Sequence, residues 1–406
     1  MRKKVWIPLA LIGVAAIGFF GFAPRYVESS MNVIDGKPLI KVSDEAKALH
    51  QALTIVDLHS DSLMWDRDIT ERASRGHMDI PRLEQGNVAL QLFSSVSKTP
   101  KDQNYDGNGA DSDNITLLTV AQLQPVKTWG SLVERSLYHA HKLDEAVQNS
   151  DRRLRVIDSG AALAALFRDR LAKTNWGVDY SAYTGRPVEP IGAMLTIEGL
   201  QNLEGKASNL DRLYDAGFRM AGLTHFFDNE LGGSMHGLKK GGLTPFGRDI
   251  VRRMEAKGMI VDIAHLSHTG VAEVLAMARR PVVSSHGGVQ ATCKVNRNLT
   301  DGEIRGVAKT GGIIGIGYWE GAVCSTDPRA AAKAMKHVRD LVGIQHVALG
   351  SDYDGATTVR FDTSQLTQVT QALLDEGFTE QEIRAVMGEN ALRVIRAGLV
   401  PMAGSQ

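Results

Sequence analysis

Eight short apolar runs punctuate this chain: Thr54 to Leu58, Val88 to Phe93, Ile191 to Ile197, Arg219 to Thr224, Met259 to Ala264, Pro281 to Ser285, Gly312 to Gly317 and His346 to Gly350. Each reads as a strand, and most are separated by helical patterns with legible ends. Thr244-Pro245 opens one helix and Gly258 closes it, while Ser131 with Glu134, Thr300 with Glu303, and Thr379 with Glu382 have capping-box spacing. Alternation of this kind predicts an α/β fold with a parallel sheet inside a layer of helices. Eight repeats predict that the sheet closes into a (β/α)8 barrel of the TIM type. An open dinucleotide-binding sheet loses its main support, because no Gly-x-Gly-x-x-Gly turn opens a helix after the early strands.

Ahead of the first strand, Met1-Arg2-Lys3-Lys4 is followed by an uncharged, almost wholly apolar stretch from Val5 to Ala23. Its length suits a bilayer span better than a secretory leader, and Pro24 disfavours cleavage after Ala23. Residues 1–23 are therefore expected to be an N-terminal membrane anchor and residues 24–406 one domain. With Arg2, Lys3 and Lys4 held in the cytoplasm, that domain is expected outside it, in the periplasm if the cell is bacterial. The alternative is secretion after cleavage. The 46 basic and 46 acidic residues balance and form no long blocks, so nucleic acid is not an expected partner. Lys98 to Asn114, rich in Asp, Asn and Gly, reads as an exposed loop.

In a closed barrel of this type the functional face lies at the C-terminal ends of the strands. The residues found there are ionisable: His59 and Asp61 after strand one, Glu198 after strand three, His225 after strand four, His265 after five, His286 after six and Asp352 after eight. One such histidine would more often be a satisfied loop residue, but four of the chain's twelve stand at the ends of separate strands. His59 and Asp61, two apart in an extended chain, would share a face and could bind one cation. His59, Asp61, Glu198, His265 and His286 are too many ligands for one catalytic zinc, which normally takes three and leaves a position open. Two Zn²⁺ ions fit better, bridged by Glu198 and a water or hydroxide, roughly 3.5 to 4 Å apart. Such a site suits hydrolysis. Asp352 would then carry a proton from the water to the leaving group, with Asp354 as its rival, and His225 would hydrogen-bond the tetrahedral oxygen or support a neighbour.

The ordered segments Asp57-Leu58-His59-Ser60-Asp61, Ile197-Glu198-Gly199, Leu223-Thr224-His225, Val261 to Ser267, Ser285-His286, Asn296 to Leu299, Gly350 to Gly355 and Met387 to Asn390 carry a family resemblance. From Val56 to Ile395 the chain resembles the membrane dipeptidase (renal dipeptidase-like) family of the amidohydrolase superfamily. The resemblance implies a binuclear zinc barrel that hydrolyses dipeptides; the substrates expected here are cell-wall or nutrient dipeptides, those with a C-terminal D-residue among them. It places His59 and Asp61 on one ion, His265 and His286 on the other, and Glu198 between them. It also gives His225 to the substrate and its transition state, Asp352 to proton transfer, and Arg297 to the dipeptide's carboxylate, which a guanidinium can pair with bidentately. A disulfide between Cys293 and Cys324 is implied too, with two buried free thiols as the alternative.

The expected partners are the dipeptide, the membrane through the N-terminal segment, and a second copy of the chain in a homodimer. The loop Lys98 to Asn114 looks like an insertion that borders the pocket. Two other readings stay open: an amidohydrolase with this site acting on another N-acyl amino acid or a lactone, and a tethered binding protein on a degenerate barrel.

Overall fold

The computed structural model describes residues 11–176 and 189–400. All eight apolar runs are strands: β1 (Ile55–Asp57), β2 (Val88–Val96), β3 (Ile191–Glu198), β4 (Phe218–Gly222), β5 (Ile260–Asp262), β6 (Val283–Ser284), β7 (Ile313–Ile316) and β8 (Val347–Leu349). Each pairs in parallel with the next of the eight, β8 meets β1 at Leu349 and Asp57 so the ring closes, and a short additional strand, Leu154–Val156, pairs in parallel with the start of β3. Most strands are shorter than the apolar runs, because the runs include residues by which the chain leaves the ladder. Pro281, ahead of β6, has no N–H to give.

Helices begin and end where side chains satisfy their free backbone groups. Thr244 accepts the Gly247 N–H at the start of the helix Pro245–Lys257, and Gly258 closes it at φ 76°. Thr300 with Glu303 and Thr379 with Glu382 form complete capping boxes. Ser131 caps its helix through the Glu134 N–H, but the Glu134 carboxylate pairs with Lys127 at 2.9 Å and Arg212 at 2.6 Å. That box is half closed.

The period-two alternation of the strands divides the core and aims the site. On β3, Ala193, Leu195 and Ile197 join the large core that includes helix residues such as Leu213, Ile250 and Val307. Met194 belongs to a second cluster with Val56, Leu90, Met220 and Ile313, closed by Leu392 and Ile395 of the helix Asn390–Gly398. Thr196 and Glu198 continue the Met194 face toward the end of the strand, which points the Glu198 carboxylate into the barrel mouth.

The first ten residues of the predicted anchor lie outside the described residues; from Leu11 a single helix runs to Met31. Leu11, Ile12, Val14 and Ile17 on it are exposed, whereas Pro24 and Glu28 are buried. After it, Val33–Ile34 pairs in parallel with Thr358–Val359 in the loop that follows β8.

Buried neutral histidines make stability depend on pH. His50 lies between the Thr370 hydroxyl at 2.8 Å and the Gly86 carbonyl at 3.1 Å, and burial lowers its pKa to about 4. An unfolded histidine titrates near 6.5, so between pH 6.5 and 4 the unfolded chain takes up a proton that the native one refuses. Stability is fully present above that window and falls by about 3 kcal/mol across it. Denaturant midpoints measured from pH 7 to 4 should drop less steeply in His50→Gln; parallel curves would exclude this histidine as a source.

Candidate metal centre

The site begins where β1 ends. Asp57 stays in the ladder, and its Oδ1 accepts the N–H groups of His59 at 3.0 Å and Ser351 at 3.1 Å, tying the β1 loop to the β8 loop. His59 and Asp61 do come together, with Nε2 and Oδ1 3.5 Å apart. Strand alternation is not the reason. Asp61 has φ −98° and ψ 24° and opens a 3₁₀ turn, and its N–H is received by the Tyr353 carbonyl at 2.9 Å. Pairing with the β8 loop delivers the carboxylate.

Glu198 stands at the centre. One oxygen lies 3.4 Å from His59 Nε2; the other is 2.8 Å from His265 Nε2, 3.2 Å from His286 Nε2 and 3.4 Å from His225 Nε2. The Nε2 atoms of His265 and His286 are 2.8 Å apart, and Asp352 Oδ1 lies 4.0 Å from His59 Nε2. All of these side chains are buried. Barrel topology thus gathers residues from five other strand ends around one carboxylate.

The donor set fits metal ions. Both ring nitrogens of His59, one oxygen each of Asp61 and Glu198, and Nδ1 of His225 and His265 are buried with no hydrogen-bond partner among the described residues. Buried polar atoms left this way carry a desolvation cost that a cation would relieve. Three triads have ligand atoms mutually within 4.8 Å: His59 with Asp61 and Glu198, Glu198 with His225 and His265, and His59 with His286 and Asp352. Glu198 and His59 each belong to two of them. His225 and Asp352 stand within ligand range too, so proximity alone does not separate ligands from groups that face a substrate.

The two central carboxylates are driven in opposite directions. Burial pushes Glu198 up, but His225, His59 and hydrogen bonds from His265 and His286 outweigh it and hold the group well below the usual carboxylate range. Burial raises Asp352 well above that range, and the charges of Glu198 and Asp61 add to the effect. Burial beside the other histidines also lowers His265 well below its ordinary value and His286 to about 3. Both shifts favour the neutral ring that ligation requires, whereas at His59 burial is outweighed by the charges of Glu198 and Asp61, which raise the group well above its ordinary value.

His265 and Asp352 sit in the left-handed region at φ 63° and 58°, which costs a non-glycine residue of order 1–3 kcal/mol each. Surrounding bonds hold them there. The His265 carbonyl accepts from Met235 N–H at 2.9 Å and Thr224 Oγ1 at 3.2 Å, and the Asp352 carbonyl from Thr357 Oγ1 at 3.0 Å. Asp354 is occupied elsewhere, accepting Ser62 Oγ and His77 N–H at 2.6 Å each and pairing with Arg67.

Arg297 is buried, its guanidinium 4.6 Å from the Trp319 ring centroid, and Nε and Nη1 have no partner among the described residues. Cys293 and Cys324 form a disulfide across the loops after β6 and β7, and closing a 31-residue separation contributes about 3–4 kcal/mol. Asn298 Nδ2 spans the same loops, donating to the Cys293 carbonyl at 2.9 Å and the Ala322 carbonyl at 2.8 Å. The Arg297 loop is thereby fixed.

Above the cluster opens a cavity of about 770 Å³, lined by Asp61, Glu198, His225, His265, Arg297 and Asp352 among others. Gln103, Asn104 and Tyr105 of the loop Lys98 to Asn114 also line it, as the sequence predicts for that insertion. Trp319, Phe226 and His236 were not read from the sequence. Phe226 stacks on His236 at 4.5 Å, and His236 Nδ1 lies 3.0 Å from the Tyr105 carbonyl. Trp319, three residues past β7, and Phe226, four past β4 and next to His225, stand where other strands carry site residues, whereas His236 carries no such mark.

Residues 43–400 match a family described as membrane dipeptidase (peptidase family M19). Dipeptidase aclJ of Aspergillus oryzae is 29% identical over 381 residues, which cover 88% of this chain and 82% of that protein. Among solved structures, the probable dipeptidase PvdM of Pseudomonas aeruginosa superposes with a TM-score of 0.69 at 17% identity, covering 93% of this chain and 99% of that one. A Rhodobacter sphaeroides metallopeptidase, liganded with a phosphinate mimic of the dipeptide L-Ala-D-Ala, gives 0.66 at 19%, covering 85% and 99%. At these identities the structural matches speak to the fold.

Proposed function

Because the chain belongs to the membrane dipeptidase family, peptidase family M19, we propose that it hydrolyses dipeptides with two zinc ions, including dipeptides with a D-residue at the C-terminal position. The observation that carries the reading is the division of Glu198, one oxygen toward His59 and the other toward His265 and His286. In this reading His59 and Asp61 hold one ion, His265 and His286 the other, and Glu198 both. When bound, the metals supply an ionised water at neutral pH and polarise the scissile carbonyl.

The chain's own residues do the rest. Asp352, whose surroundings favour its protonated form, takes a proton at its carboxylate and gives it to the leaving amine. His225 hydrogen-bonds the oxygen on which charge develops. Arg297, stiffened by Trp319 and by a loop closed with a disulfide, pairs with the free carboxylate. The unpartnered Nε and Nη1 support that role, since a buried guanidinium without acceptors is costly until an anion arrives.

Arg297→Ala should lower kcat/KM on dipeptides by on the order of 10²-fold, chiefly through KM. Hydrolysis of an ester or lactone without a carboxylate should change little. An equal loss on both substrates would place Arg297 in the machinery for cleavage. The decisive experiment is metal analysis of the reconstituted enzyme coupled to a panel of L,L and L,D dipeptides. Fewer than two ions per chain would overturn the binuclear reading, and no cleavage of any dipeptide would overturn the substrate.

Residues 1–23 are proposed to anchor the chain, with residues 24–406 as one domain outside the cytoplasm. The exposed apolar helix from Leu11 and the Cys293–Cys324 disulfide support this. Alkaline extraction of membranes should leave the protein in the pellet, whereas a cleaved leader would release it.

A further inference from the structure

One wall of the catalytic cavity does not come from the barrel. Phe19 and Ala23, in the last turn of the proposed anchor, and Pro24, Val27 and Met31, where the same helix continues past it, line the same space as Glu198 and Asp352. Val27 packs against the cluster of Met64, Trp65, Val96 and Ile115, beside Leu118 of the helix Asn114–Ala121. None of these five side chains carries a hydrogen-bond donor, and the Met31 thioether is at most a weak acceptor. The helix therefore presents an apolar surface to a chamber whose opposite chemistry is charged.

The helix is built into the site. Glu28, buried four residues before Asn32, pairs with both Arg67 at 2.9 Å and Arg75, and Arg67 also pairs with Asp354, two residues from Asp352. Asn32 Oδ1 accepts the Ala356 N–H at 2.9 Å, and the ladder of Val33–Ile34 on Thr358–Val359 follows at once. A buried charge cluster and a backbone ladder thus fix Val27 and Met31 relative to the β8 loop. Losing one partner of such a cluster leaves an uncompensated charge in the interior, so the arrangement resists release.

We propose that this helix sets substrate choice, and that the enzyme prefers dipeptides whose N-terminal residue carries a large apolar side chain. The inference rests on the dipeptidase reading above. If Arg297 on the β6 loop takes the C-terminal carboxylate and the Glu198 cluster takes the scissile bond, the N-terminal residue extends beyond them. The apolar wall lies beside the loops after β8, β1 and β2, whereas Arg297 stands on the loop after β6. A leucine or phenylalanine side chain there leaves water for contact with Val27, Met31 and Leu118, while glycine leaves the wall wet.

The test uses the full-length, metal-loaded enzyme in detergent, with steady-state kinetics on Leu-Ala and Gly-Ala. The wild type should favour Leu-Ala by at least about tenfold in kcat/KM, from a side chain of that size entering an apolar pocket. The double variant Val27→Ser with Met31→Ser should bring the ratio toward one, through KM for Leu-Ala, and Val27→Leu should keep it high. Leu118→Ser on the facing helix gives a second route to the same shift should the double variant fold poorly. A ratio unchanged in both serine variants overturns the proposal, as does a wild type that cleaves both peptides equally well. A wild type that cleaves neither overturns the dipeptidase reading itself.

Discussion

Glu198→Ala is expected to lower kcat/KM on dipeptides by at least about 10³-fold and to reduce bound metal from two ions to one or none per chain. Glu198 lies within 3.4 Å of His59, His225, His265 and His286, with its two oxygens facing different partners. Removing it takes a ligand from both proposed ions at once. It also removes the negative charge that offsets them in a buried pocket, where an uncompensated charge is costly. The loss should therefore exceed what a single-ion ligand such as Asp61 would show. Metal content of the purified variant, read beside its kinetics and its thermal unfolding with and without chelator, checks this. A Glu198→Ala enzyme that keeps two ions would remove Glu198 from the bridge.

Asp352→Asn is expected to lower kcat by about 10²- to 10⁴-fold while metal content and KM stay close to wild type, the range typical of losing a positioned acid or base. Asparagine suits the test because Asp352 has φ 58°, and asparagine tolerates the left-handed region better than alanine does. The backbone can stay where Thr357 holds it, so a fall in kcat reports the lost proton carrier. Activity within tenfold of wild type would send the proton through another group. Parallel loss of metal would make Asp352 a ligand, a role its closeness to His59 and His286 makes worth excluding.

Much of the candidate site is legible in the amino-acid sequence, for one physical reason. In a barrel of parallel strands every C-terminal end reaches the same face, so Glu198, His225, His265, His286 and Asp352 could be gathered simply because each follows an apolar run. Asp61 was also found, but by an argument that does not hold. Its backbone turns away from the extended form, and hydrogen bonding to Tyr353 brings the side chain to His59. In the sequence Asp352 ranks above Asp354 because it lies closer to the end of its apolar run, while Asp354-Gly355 has turn chemistry. Asp354 proves to be consumed by Ser62, His77 and Arg67, partners about 280 to 290 residues away that no local pattern marks. Tyr105, Phe226, His236 and Trp319 sit in loops, where neither helical nor strand periodicity constrains a side chain.

The amino-acid sequence by itself determined the alternation of strands and helices, the helix caps, the ionisable residues at the strand ends and the apolar character of the N-terminal segment. All of these are local signals, carried by periodicity, hydrogen-bonding capacity at helix ends and hydropathy over a few turns. Tertiary structure decided that the N-terminal helix lines the cavity above Glu198. Hydropathy assigns that helix only a solvent, and cannot say that Glu28 will be buried between Arg67 and Arg75 or that Asn32 will receive the Ala356 N–H. Those pairings exist because the ring closes β8 against β1, which brings residues 28, 67 and 354 to one side of the mouth, where burial makes their charges pair.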